Sequence, residues 1–177
     1  MPLQSLMTRR LLLRPWVVED LDGLQELWAD PDVRRYLWDG EAVTREQAAS
    51  VLQDCIASAE SEGVGCWSLL LRERPLNLIG FCGFRFIAET KDIELLYALA
   101  PAYWGQRLAS EAARAALRYG FRIQLFRRVN ARTDKPNQAS VRLLERLGMK
   151  LDGEMSVNER PTLCYSLRVE DCGLWLD

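Results

Sequence analysis

Apolar positions along this chain switch repeatedly between a period near two and a period near 3.6, which predicts strands and helices in alternation. Leu11-Leu12-Leu13, just before Pro15, reads as a short first strand. Leu21, Leu24, Leu27 and Trp28 form a helical stripe that ends near Asp30-Pro31. A short helical stretch from Asp32 to Leu37 leads into a polar turn at Asp39-Gly40. Thr44 followed by Gln47 has the form of a capping box, in which hydroxyl and amide satisfy exposed backbone donors. Behind it Ala48, Val51, Leu52, Cys55, Ile56 and Ala59 recur at helical spacing until Gly63 and Gly65 stop the helix.

Three extended segments follow: Cys66 to Leu71, Leu78 to Phe86, and Ile93 to Leu99. Glu73-Arg74-Pro75 and the polar run from Glu89 to Asp92 are short enough to be hairpin connections, so the middle of the chain reads as antiparallel sheet. Beyond Pro101, Leu108, Ala112, Ala115 and Tyr119 make one face of a long Ala-rich helix. Arg128 to Arg132 is a further strand, and Asn137 opens a helix with Val141, Leu144 and Leu147 inside and Gly148 at its end. From Thr162 to Val169 the alternation is clean, with Leu163, Tyr165, Leu167 and Val169 on one face. The predicted order is β-α-α-β-β-β-α-β-α-β-β: a mixed, mostly antiparallel α/β fold of about seven strands with helices on both faces. No repeat or low-complexity stretch divides it, so residues 1–177 read as a single domain.

Composition narrows the chemistry. The 177 residues contain no histidine, which removes Ser-His-Asp and Cys-His nucleophile systems, HExxH zinc sites and any imidazole base. Lys plus Arg is 23 against 25 for Asp plus Glu, a balance that argues against a partner held by phosphate neutralisation, hence no nucleic acid. No apolar run approaches the roughly 20 residues that span a bilayer. The five cysteines, Cys55, Cys66, Cys82, Cys164 and Cys172, form no CxxC pair. They read as small buried hydrophobes, with a nucleophilic thiol as the alternative. With no signal-peptide pattern from Met1 to Arg10, a reducing, cytoplasmic setting is the expectation.

The segment from Ile93 to Glu111, IELLYALAPAYWGQRLASE, is a strand, a Pro-broken turn and a helix start with small residues at Gly105, Ala109 and Ser110. Such a junction lets a ligand approach the backbone and offers unpaired N–H groups to phosphate, although an ordinary tight turn ends many strands in the same way. Neither GxxxxGK[ST] nor GxGxxG occurs.

That run, with Glu94-Leu95-Leu96-Tyr97, Pro101 to Gln106 and Leu108 to Ala112, resembles the core motif of the GNAT acetyltransferases. More narrowly, it is similar to the branch that acetylates ribosomal-protein N-termini, the RimJ/RimL type. Asn137 and Ser140, followed by Leu144 to Met149, resemble that branch's N-x-x-S helix and its end. Thr8 to Pro15 resembles its T-x-R-L-x-L-R-P opening, and Asn77 to Gly80 its x-x-I-G strand, so the likeness spans nearly the whole chain. The resemblance implies transfer of acetyl from acetyl-CoA to a primary amine, with no metal. It places pyrophosphate on the backbone from Gln106 through Arg107, Leu108 and Ala109 to Ser110. Pantetheine would lie along Ala98 and Leu99, with Asn137 and Ser140 beside the sulfur. Arg107 stands where the family motif has its first glycine, and so either crowds the pyrophosphate or adds a cation to it.

Glu94 is the candidate base, since burial among apolar neighbours raises a carboxyl pKa; the bland alternative is an ion pair with Lys91 or an arginine, and water-mediated proton removal stays open. Ser140 is the candidate acid by resemblance, or a serine that supports its helix start. Tyr97 and Tyr165, also available, sit on apolar alternation and read as core. Tyr36 and Trp38, with Asp39 and Glu41, fall where the acceptor pocket is expected, though Trp38 also suits a plug in the helix layer. The run from Arg122 to Arg132 reads as a solvated edge. The acceptor is a peptide N-terminus or a small-molecule amine, and a homodimer is open. The rival from another class is a CoA-binding or protein-interaction module that has lost catalysis.

Overall fold

A computed structural model describes residues 1–172 except 39 and 89. Its strands are β1 (Leu6–Met7), β2 (Leu11–Pro15), β3 (Cys66–Leu71), β4 (Arg74–Phe86), β5 (Ile93–Leu99), β6 (Arg128–Asp134), β7 (Lys150–Val157) and β8 (Arg160–Arg168). They form one sheet in the order β1-β2-β3-β4-β5-β6-β8-β7. Every neighbouring pair is antiparallel except β5 and β6. The strand beyond the expected seven is β1, whose two residues are too short to show a period. Strand β4 also starts earlier than expected, at Arg74, because register shifts near Leu70 absorb the polar stretch that precedes Leu78.

The helices are α1 (Leu21–Ala29), α2 (Pro31–Leu37), α3 (Arg45–Glu62), α4 (Leu108–Arg122) and α5 (Gln138–Arg146). Local chemistry sets their ends. Asp30 accepts from the N–H groups of Asp32 and Val33 at the start of α2, with Pro31 in the first turn. Thr44 and Gln47 form the capping box of α3, and Gly63 closes that helix in the left-handed conformation, φ 71°.

Two apolar clusters lie on opposite faces of the sheet. Against one face α4 packs Leu108, Ala112, Ala116 and Leu117 over Leu95, Leu99 and Val129, with Leu143 and Leu144 of α5 beside them. On the other, Trp28 of α1, Val33 of α2 and Leu52 of α3 meet Trp16, Phe81 and the partly buried Leu96 and Ala98. Alternation along β5 therefore sends Leu95, Tyr97 and Leu99 to the α4 side and Glu94, Leu96 and Ala98 to the α1–α3 side. The central β3 is buried on both faces, and Ser68 there is satisfied by donating to Asp20, which also binds Arg14.

Candidate active site

The parallel pair β5 and β6 is in register at one position only, Glu94 opposite Asn130. Beyond it the two strands diverge, while β5 stays paired to β4 as far as Leu99. From Leu95 onward the other edge of β5 is therefore not laddered to β6, so its backbone groups on that side are available to a ligand. A cavity of about 1080 Å3 passes through this gap and reaches both faces of the sheet. On the α4 side it is lined by Tyr97, Leu99, Ser110, Asn137 and Ser140; on the other by Trp28, Tyr36, Trp38, Glu94, Ala98 and Arg132. That exceeds the usual range for a single small ligand, roughly 300–1,000 Å3.

The turn entering α4 is tightly built. A short helical turn at Pro101–Tyr103 leads to Trp104, whose indole N–H donates to the Leu99 carbonyl at 2.7 Å. Gly105 has φ 74° and nothing within 4 Å of where a Cβ would stand, so the backbone there is open to a ligand. Arg107 is the residue before the helix and holds φ 61°, ψ 16°. Glycine takes that left-handed conformation freely, and an arginine is strained in it. Glu111 N–H is the first to find a helical acceptor, the carbonyl of Arg107. The N–H groups of Leu108, Ala109 and Ser110 thus precede the ladder, at the positive end of a 15-residue helix. Arg107, Arg142 and Arg146 line the cavity beside them, and Arg146 reaches the Ser110 hydroxyl at 3.4 Å.

The opening of the chain fixes this turn. Glu111 accepts from the Thr8 hydroxyl at 2.6 Å, the Arg10 N–H at 2.9 Å and the Arg10 side chain at 2.7 Å. Arg10 also donates to the Gln106 carbonyl at 3.0 Å. Gln106 turns its own side chain back to the Ala102 carbonyl, and alone among the cofactor candidates it does not line the cavity among the described residues.

Within the gap, the Tyr97 and Ser140 hydroxyls meet at 2.6 Å. The Ser140 N–H is itself bound by the Asn137 side chain, which caps α5 at 3.2 Å. Burial pushes the Tyr97 phenol above its usual range and outweighs the hydrogen bond from Ser140. Tyr97 was legible only as core, because strand alternation cannot show that a half-apolar ring ends on a helix hydroxyl.

Of the two readings open for Glu94, the structure shows the ion pair with arginine. The Glu94 side chain is 2% exposed and accepts from Arg85 Nε at 2.6 Å and Arg132 Nε at 2.5 Å. Burial does push its carboxyl up, but the hydrogen bonds and charges of Arg132 and Arg85 win, holding it below the ordinary carboxylate range. The expected rise is thus reversed, and Arg132 lies in the cavity wall rather than on a solvated edge. Neither arginine is adjacent to Glu94 in sequence; Arg85 comes from the facing residue of β4, and Arg132 from across the diverging pair.

Tyr36 and Trp38 both line the α1–α3 arm of the cavity. Trp38 packs edge to face on Trp28 at 5.3 Å, so it is part of an aromatic wall as well as of the helix layer. Glu41 lies against a shallower hollow beside α3, and Asp39 falls outside the described residues. No group of side chains suited to a metal ion occurs among the described residues.

An open-edged strand, a bare helix start and a cavity lined from both faces of the sheet meet at one place in the fold. Residues 10–150 match the acetyltransferase (GNAT) domain, and the chain belongs to that family of N-acetyltransferases. It is 33% identical over 153 residues to an uncharacterized N-acetyltransferase, p20, of Bacillus licheniformis, covering 85% of each chain. It is 26% identical over 146 residues to spermidine N(1)-acetyltransferase of Escherichia coli K12, covering 81% of this chain and 74% of that one. A GnaT-family acetyltransferase of Bordetella pertussis superposes with a TM-score of 0.81 at 26% identity, over 93% of this chain and 99% of the other. Ribosomal-protein-S5-alanine acetyltransferase of Vibrio fischeri shares the fold at TM-score 0.80 and 16% identity, over 95% and 98%.

Proposed function

We propose that the protein moves an acetyl group from acetyl-CoA to a primary amine by direct attack in a ternary complex. The observation that carries this reading is the continuous cavity through the β5/β6 gap, with a phosphate-suited helix start on one face and an aromatic pocket on the other. Acetyl-CoA supplies a thioester whose carbonyl accepts the amine and whose sulfur leaves as thiolate.

This chain's residues do the rest. The N–H groups of Leu108, Ala109 and Ser110 bind pyrophosphate oxygens, with Arg107, Arg142 and Arg146 adding cations at the rim. The free edge of β5 at Ala98 and Leu99 holds the pantetheine arm alongside Asn137 and orients the thioester carbonyl by backbone donation. The Tyr97–Ser140 pair protonates the departing sulfur: the serine hydroxyl donates to it, the phenol resupplies the serine, and the proton that the amine nitrogen loses as the amide forms restores the phenol through water.

Glu94 acts as an anchor for two guanidiniums. A carboxylate held ionised and engaged by both has little affinity left for the amine's proton. One carboxylate and two guanidiniums leave an excess of positive charge beside the gap, which lowers the pKa of a bound ammonium and lets water carry its proton away. Tyr36 and Trp38 contact the acceptor.

Thermal unfolding with and without acetyl-CoA tests the reading. Binding to the folded state contributes about 2.7 kcal/mol at a hundredfold excess over Kd and raises Tm accordingly. An unchanged Tm for a well-folded protein overturns it. A shift with no acetylation of any amine leaves only a CoA-binding module.

A further inference from the structure

We infer that the acceptor amine carries a carboxylate, and that Arg85 is the residue that reads it; this rests on the acetyltransferase reading above. Two features of the α1–α3 arm bear on it.

The first is Arg85. It lines the cavity and gives Glu94 its Nε, yet 55% of its side chain is exposed. Its terminal amino groups have no hydrogen-bond partner among the described residues. A guanidinium fixed at its inner edge by a buried carboxylate, with its outer donors open to a cavity, is pre-organised for two-point binding of a carboxylate. The position also suits the reaction, because Arg85 faces Glu94, the last residue paired across β5 and β6 before the gap opens.

The second is the aromatic wall. Among the described residues, the buried side-chain nitrogens and oxygens without a hydrogen-bond partner are three: the indole N–H groups of Trp16, Trp28 and Trp38. All three side chains line this cavity. Their rings contact one another and Phe81 edge to face, at 5.3 to 6.2 Å, which offers an N–H only the weak acceptor of a π face. The N–H groups themselves are shielded from the cavity, so this wall offers a ligand apolar ring surface and leaves its polar recognition to Arg85. A polyamine, whose protonated nitrogens are donors only, has nothing to accept from that guanidinium.

The test is acetylation of a panel of α- and ω-amino acids, each beside the amide or alkylamine that lacks its carboxylate, with spermidine included and products read by mass spectrometry. The expected result is a kcat/KM about tenfold or more higher for the acid than for its counterpart in at least one pair. In Arg85→Met that ratio falls toward one, and in Arg85→Lys it is partly restored. The acetyl-CoA-induced rise in Tm shows that each variant is folded. Equal or better use of spermidine and the alkylamines by the unaltered protein overturns the inference while leaving the acetyltransferase reading intact. So does an acid preference that Arg85→Met does not change, or acetyl-CoA binding with no carboxylated amine consumed. Absence of acetyl-CoA binding overturns the acetyltransferase reading itself.

Discussion

At the scale of single residues, the proton for the leaving sulfur is the most direct test. Tyr97→Phe removes a hydroxyl held 2.6 Å from Ser140 and leaves the ring packing unchanged. It should lower kcat by about a hundredfold while changing the KM for acetyl-CoA little. Steady-state kinetics decide it, since an equal loss in binding would make the pair a structural link between β5 and α5. Arg107→Gly separates backbone from charge. Relief of the left-handed conformation outweighs the extra flexibility of glycine, so urea unfolding should show a gain of about 0.5–1 kcal/mol. Loss of the cation should raise the KM for acetyl-CoA about threefold. Glu94→Gln leaves two guanidiniums around a neutral amide and should lower stability by about 3 kcal/mol. In that variant the acid limb of kcat/KM, which follows the amine, should stay at the same pH; its disappearance would return Glu94 to the role of base. Burial of Glu94 was readable from its apolar neighbours, but its pKa was not. The deciding charges come from Arg85 and Arg132, and no local pattern shows which distant side chains converge on a carboxyl.

Between residues and molecule, the element that matters most is the start of α4. Its strand-turn-helix form was plain in the chain from Ile93 to Glu111, because Pro101, Gly105 and the Ala-rich stripe each punctuate it. What holds it was not plain. The opening from Thr8 to Pro15 looked like a strand with a family signature, and the structure shows why the threonine and arginine are there: they grip Glu111, more than 100 residues away. Pairing of that kind is invisible to periodicity, which reports only on neighbours within an element. Glu111→Ala should therefore loosen the turn that carries Leu108 to Ser110. An increase of about fivefold in the KM for acetyl-CoA, with a stability loss of about 1–2 kcal/mol, is the expected result by kinetics and urea unfolding. A stability loss with unchanged KM would show that the turn keeps its shape without the clamp.

Across the whole molecule, two apolar clusters are separated by a sheet whose one parallel pair fails to close, and the cavity is the consequence of that failure. The mixed sheet and the helices on both faces were legible from the alternation of periods; the divergence of β5 and β6 was not, since both strands read as ordinary extended segments. Keeping polar groups beside an open gap ties the fold to pH. Glu94 and Glu111 both lie below the ordinary carboxylate range: burial raises each, but the bonds from Arg132 and Arg85 outweigh it in one and those from Thr8 and Arg10 in the other. A carboxyl whose folded pKa is depressed binds its proton more weakly in the folded than in the unfolded chain. Its stabilising effect is complete above the unfolded value, about 4.3, and is lost as pH falls through the folded one. Urea midpoints should thus stay flat from pH 7 to about 5 and then fall steeply toward pH 3. In Glu94→Gln, which is less stable at neutral pH, the acid fall should be shallower, because that proton no longer discriminates between the two states. A slope unchanged by the substitution would mean that the acid sensitivity resides in other carboxylates and that the two arginines do not hold Glu94 ionised.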